Sequence, residues 1–112
     1  MHDCELRVDR YQDEHSGEIK TIWRNSEWKL FRMNGPALIC EYPTGEMSEC
    51  WYKIPGLYHR EDGPAVIHYN LSKQVASESW FINGYKFNPN GGPSHIYYRD
   101  KDEKSCLNME KT

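Results

Sequence analysis

Residues 51–69 read WYKIPGLYHREDGPAVIHY, and the fold follows from how this stretch recurs. It opens on Trp51, passes through a polar, turn-rich corner to Gly63-Pro64-Ala65, and closes on Val66-Ile67-His68-Tyr69. That closing run is β-branched and aromatic, which suits a pleated, half-buried surface. Its landmarks return along the chain. Trp23, Trp51 and Trp80 are spaced by 28 and 29 residues, and so are Pro36, Pro64 and Pro93. Gly17 and Gly45 are also 28 apart. A fixed period of this length marks stacked supersecondary units.

The spacing divides each unit in two. From each Trp to the next Pro the distance is always 13; from Pro to the following Trp it is 15 and then 16. Exposed tips tolerate insertions and packed connections do not. The Trp-to-Pro half therefore reads as a fixed corner, and the extra residue is expected at a hairpin tip. In the middle unit Pro64 to Tyr69 runs out, Asn70-Leu71-Ser72-Lys73 turns, and Glu78 to Ile82 returns to Asn83-Gly84. The first unit runs Pro36 to Tyr42, turns at Pro43-Thr44-Gly45 and returns through Cys50 to Lys53. Each Pro is expected to open a strand, where its missing N–H does little harm. The Gly before it is expected to supply a backbone geometry other residues avoid.

The ends are altered units, as expected of caps on an array. Leu6 to Tyr11 and Ile19 to Trp23 read as a preceding hairpin turning at His15-Ser16-Gly17, and Ser94 to Tyr98 as a last full strand. Lys101 to Thr112 is polar and lacks the Trp. No long stretch holds apolar residues at helical spacing. The expected fold is all-β: one domain over 1–112, built of tandem antiparallel hairpin repeats of about 28 residues. They form a curved single sheet or short solenoid, with units near 5–35, 36–63, 64–92 and 93–112 and the terminal ones degenerate. Period-2 alternation puts Ile39, Ile67 and Ile96 with Ala37, Ala65 and Ser94 on one face, expected to be buried. The other face carries Leu38, Val66 and His95, then Cys40, His68 and Tyr97, and is mixed. The three periodic Trp are expected in the core.

Composition narrows the function classes. Four Trp, eight Tyr and three Phe argue against disorder, although only 38% of the 112 residues are hydrophobic and 28% are charged. The net charge of −3 leaves no basic excess for a phosphate backbone, so general nucleic-acid binding is not expected. The first residues, Met1-His2-Asp3-Cys4-Glu5, have no apolar run, and no stretch approaches the roughly 20 apolar residues that span a bilayer. The expected address is cytoplasmic, away from any membrane. Cys4, Cys40, Cys50 and Cys106 then read as free thiols.

The stretch from Gly56 to Ile67, with Trp51-Tyr52-Lys53 before it and Trp80-Phe81-Ile82-Asn83-Gly84 after it, resembles a repeat of many small proteins from tailed bacteriophages and large DNA viruses. Its pattern there is approximately W-Y-x-N-G-x-x-H-R-x-D-G-P-A. In architecture alone it is similar to the β-hairpin MORN repeats. The likeness covers residues 23–98 and is close only in the middle unit. The first corner has Phe31 for the His, and the third, with one residue more, lacks His, Arg and Asp. The resemblance implies a viral accessory protein in the host cytoplasm, of a kind that binds and blocks a host enzyme or defence system.

The site candidates stay open between function and architecture. His59-Arg60-Glu61-Asp62 reads either as an anion or ligand site or as a corner held by Arg–carboxylate and Asx-turn bonds. His59, His68 and His95 with Cys40 and Cys50 lack metal-ligand spacing, although Cys40 and Cys50 are expected to face each other across a hairpin and Cys40 and His68 to stack. Cys4 or Cys106 with a His is a weak nucleophile pair in an end segment. No catalytic residue, metal or cofactor is assigned. Trp28, Tyr58, His59, Arg60, Tyr85 and Lys86 form the candidate partner-facing surface, since Tyr, Trp and Arg anchor interfaces. The expected partner is a host protein. An oligomer that sequesters a small nucleotide signal is the alternative, a Cys/His enzyme the third reading. A homodimer is one way to cover exposed sheet edges.

Overall fold

The computed structural model describes residues 7–98 and the strand at 108–110. Its strands are β1 (Arg7–Gln12), β2 (Ile19–Arg24), β3 (Leu38–Glu41), β4 (Met47–Cys50), β5 (Val66–Tyr69), β6 (Val75–Ser79), β7 (Phe81–Ile82), β8 (Tyr85–Lys86), β9 (His95–Tyr97) and β10 (Asn108–Glu110). Eight make one sheet in the order β1-β2-β3-β4-β5-β6-β9-β10, and β7 with β8 makes a second, two-stranded one. Every strand pairing is antiparallel. The large sheet is open, with β1 and β10 at its edges. Among the described residues there is no helix, and so none long and apolar enough to cross a membrane.

The hairpin tips close by short-range hydrogen bonding. Asp13 Oδ1 accepts the N–H groups of His15 and Ser16 at 2.7 and 3.0 Å, and Asn70 Oδ1 accepts those of Ser72 and Gln74 at 2.9 and 3.0 Å. Such Asx turns are why Asp and Asn stand there. The inserted residue between Pro64 and Trp80 is not at the tip. The loops Tyr42–Glu46 and Asn70–Gln74 close alike, each with an amide-to-carbonyl bond, 2.9 and 2.8 Å. The β5–β6 register instead shifts between His68 and Tyr69, so the extra residue forms a bulge at Ala76. Its carbonyl accepts the Tyr98 amide at 2.9 Å. The strands also begin two residues later than the prolines suggested, at Leu38, Val66 and His95.

Neither sheet face is the single dry side. Ile39 stands opposite Glu49, Ile67 opposite both Glu49 and Glu78, and Ile96 opposite Glu78. Of these isoleucines only Ile67 is buried. The other face buries Cys40, Cys50, Ser48, Ser77 and Ser79, all small side chains. The periodic Trp are half-buried, not core. Trp23 donates its amide to Ala37 at 2.9 Å, Trp51 to Ala65 at 2.7 Å and Trp80 to Ser94 at 2.8 Å. Large and small residues thus alternate across neighbouring strands. Ala37 and Ala65 are left with no exposed surface at all, 0% each.

Candidate functional site

Three corners line one end of the sheet, joining β2 to β3, β4 to β5 and β6 to β9. Each folds back on its own Trp: the amides of Phe31, His59 and Phe87 donate to the carbonyls of Trp23, Trp51 and Trp80 at 3.1, 3.0 and 3.1 Å. Each turns through a left-handed residue at 28-residue intervals: Trp28 (φ 65°), Gly56 (φ 77°) and Gly84 (φ 84°). Two backbone bonds tie each corner to the next. Gly56 donates to the Leu30 carbonyl at 3.0 Å and Arg32 to the Tyr52 carbonyl at 3.2 Å; Gly84 donates to Tyr58 at 2.9 Å and Arg60 to Phe81 at 3.2 Å. The rings of Tyr52 and Tyr58 lie 5.0 Å apart and those of Tyr58 and Phe81 4.9 Å, which stacks the second and third corners.

The polar cluster is built into this packing. The Arg60 guanidinium lies 3.7 Å above the Trp51 ring, donates from Nη1 to the Pro64 carbonyl at 3.1 Å, and from Nε to Asp62 Oδ1 at 3.0 Å. That guanidinium holds the exposed Asp62 carboxyl below its usual range, first through the hydrogen bond and then through charge. Arg32 repeats the arrangement, 3.9 Å over Trp23 and 3.2 Å from the Pro36 carbonyl. In the third corner Asn88 Nδ2 takes over the proline bond, donating to Pro93 at 2.9 Å. The glycine before each Arg-linked proline therefore has a different reason from the expected one. Gly35 and Gly63 lack positive φ; a Cβ there would stand 2.8 Å from Cζ of Arg32 or Arg60. The guanidinium is sandwiched between indole and glycine, and only glycine leaves the room.

His59 is also internal. Its ring is buried, Nδ1 accepts the Asn83 amide at 2.9 Å, and Nε2 lies 3.3 Å from Glu61 Oε2. Nδ1 as acceptor makes Nε2 the donor in the neutral ring. His59 thus bridges the second corner to the third, where Phe31 and Phe87 hold the same place in the other units.

The six candidate residues occupy three adjacent corners but do not form one surface. Tyr58, His59 and Arg60 are turned into corner packing. Trp28, Tyr85 and Lys86 are exposed, Trp28 to 58% and Tyr85 to 77%. Arg7 approaches the Trp28 ring at 5.2 Å and Arg24 at 6.0 Å. Arg7, Asn25, Ser26 and Trp28 line a shallow pocket of about 180 Å³. Leu57, 42% exposed, and Phe87, 55% exposed, join the outward aromatics and were not foreseen. Leu57 follows the left-handed Gly56 as the foreseen Tyr85 follows Gly84, and that shared register is the sequence signal for its exposure.

The cysteine expectations fail on register. Ser48 stands opposite Cys40, and Leu38 opposite Cys50, so the two thiols sit diagonally instead of facing. Ser48 also separates Cys40 from His68. Burial pushes the Cys40 thiol up and the Cys50 thiol up to about 12, so neither is a ready thiolate. Among the described residues no group of three or more His, Cys, Asp or Glu could hold a metal ion. Cys4 and Cys106 lie outside the described residues. Comparison with protein-family models, with curated proteins and with solved structures finds no match.

Proposed function

We propose that this chain is a tandem β-hairpin array acting as a non-enzymatic binding module, a viral accessory protein that engages and inhibits a host protein. The observation that carries the reading is Trp28. At the turn where the next two corners place Gly56 and Gly84, the first corner holds a bulky residue at φ 65°, 58% exposed. A left-handed backbone costs a non-glycine residue about 1–2 kcal/mol. An indole kept there, beside Arg7 and Arg24, is strained and solvated, and neither burial nor a turn requirement accounts for it. Backbone strain of this kind collects at functional sites, and Trp with Arg is a frequent interface anchor. A partner surface rich in acidic and apolar groups suits it.

The test compares the parent with Trp28→Gly, both tagged and expressed in bacteria. Glycine removes the strain, and its greater unfolded-state freedom offsets that gain, so stability should stay within about 1 kcal/mol. The parent is expected to retain a specific host protein on purification and the variant to lose it. Recovery of nothing above background by the parent, or equal recovery by both, refutes the reading. A nucleotide-sequestering oligomer, the second reading, would call on Arg60, His59 and stacked tyrosines; the Arg60 guanidinium is engaged by Trp51, Asp62 and Pro64, and His59 by the Asn83 amide.

A further inference from the structure

We propose that the outer edge of the third corner is a contact for a second copy of this chain, the two edges meeting antiparallel about Phe87. The first two corners each present a carbonyl and an amide to the corner that follows: Leu30 and Arg32 to the second, Tyr58 and Arg60 to the third. By position, Lys86 and Asn88 carry the corresponding pair. The Phe87 amide turns inward to the Trp80 carbonyl at 3.1 Å. Across a trans peptide the preceding carbonyl points the opposite way, so the Lys86 carbonyl faces outward. Strand alternation turns the Asn88 amide to the same side. Among the described residues no further corner follows, and none accepts from the Asn88 amide.

This edge is complementary to itself. An antiparallel pair related by a twofold axis through Phe87 joins each Lys86 carbonyl to the other copy's Asn88 amide, two equal bonds per contact. The two Phe87 rings then stand in the close, non-hydrogen-bonded position, where aromatic pairs stabilise a sheet. Lys86 stands opposite the other copy's Asn88, so no like charges are directly opposed. Phe87 and Tyr85, 55% and 77% exposed, supply the apolar surface that such a contact covers. The contact continues the corner-to-corner bonding already present inside the chain.

The test is the mass of the full chain in solution, by sedimentation across a wide concentration range. The parent, 13.3 kDa as one chain, is expected to shift to twice that mass as concentration rises. Phe87→Asp opposes two carboxylates across the axis and should weaken the dimer at least about tenfold. At concentrations where the parent is monomeric, the variant's far-UV spectrum and melting should match the parent's, because the side chain is exposed. Phe87→Tyr should retain the dimer. A parent monomeric at every concentration, or a Phe87→Asp variant that dimerises like the parent, overturns the proposal. So does a monomeric parent whose Phe87→Asp variant loses a captured host protein, which would assign the edge to a heterologous partner. Host-protein capture through Trp28 is read separately, so either outcome there leaves this measurement intact.

Discussion

Replacing Gly63 with Ala tests the indole–guanidinium–glycine sandwich directly. The three nearest heavy atoms to the added Cβ are all guanidinium atoms of Arg60, at 2.8, 3.1 and 3.1 Å. The guanidinium is the end of a flexible chain, so it moves, and the cost is what it leaves. It loses the stack on Trp51, worth about 0.5–2 kcal/mol. It also loses the charge-assisted bond to the Pro64 carbonyl, worth about 1.5–3 kcal/mol when fully formed. Part of both is recovered by water, and Ala restricts the unfolded chain, which returns about 0.4–1 kcal/mol. The expected net loss is about 1.5 kcal/mol, roughly 6–12 °C in Tm for a chain of this size. Urea denaturation of four proteins measures it: the parent, Gly63→Ala, Arg60→Ala and the double variant. Without the guanidinium the unfolded-state term alone remains, so Gly63→Ala in the Arg60→Ala background should be neutral or stabilising. Equal costs in both backgrounds, or no cost in the parent, would refute the sandwich as the reason for the glycine.

Two further outcomes follow from the same geometry. His59→Phe keeps the ring volume found at Phe31 and Phe87 but removes the acceptor for the Asn83 amide, so it should cost about 1–2 kcal/mol in denaturation while leaving the capture proposed for Trp28 unaffected; loss of a captured protein at unchanged stability would make His59 a binding residue instead. Alkaline pH should weaken the fold through Tyr69 and Tyr98, which donate to Glu49 and Glu78 at 3.1 and 2.7 Å and whose hydroxyls burial, with the neighbouring carboxylate, pushes up to about 12. Because the folded value lies above the unfolded one of about 10, this stability is present below pH 10 and is lost as pH rises toward 12. The double variant Tyr69→Phe, Tyr98→Phe should lose less stability over that interval than the parent, and parallel curves would exclude the assignment.

Spacing and turn chemistry were enough to place the hairpins, because both are local. Asn83-Gly84, Asn70 and the β-branched run at Val66 act within a few residues, and the period of the Trp and Pro exposes the division into tips and corners. The same logic failed wherever a distant group decides. The backbone of Gly63 alone suggests a turn geometry, yet the reason for the glycine is the Arg60 side chain lying against it. Tolerance of insertions points to a tip for the extra residue, but its place as a bulge at Ala76 depends on how β5 registers with β6. Cys40 and Cys50 are a different case: the tip at Pro43-Thr44-Gly45 pairs Tyr42 with Glu46, and counting outward from it puts Ser48 opposite Cys40 and Leu38 opposite Cys50 without help from any other strand. In the candidate site, the exposure of Trp28 and Tyr85 was legible from their place in the turns. The commitment of His59 and Arg60 to packing was not, since their partners Asn83, Trp51 and Pro64 come together only when corner stacks on corner.

What the sequence determined by itself is therefore the all-β character, the hairpin order and the three corners, each a consequence of short-range backbone preference and alternation. The tertiary structure decided which corner residues remain outside. A residue's exposure depends on whether a neighbouring corner covers it, and that is why Phe31 and His59 are buried while Phe87, at the same position in the last corner, is left at the surface.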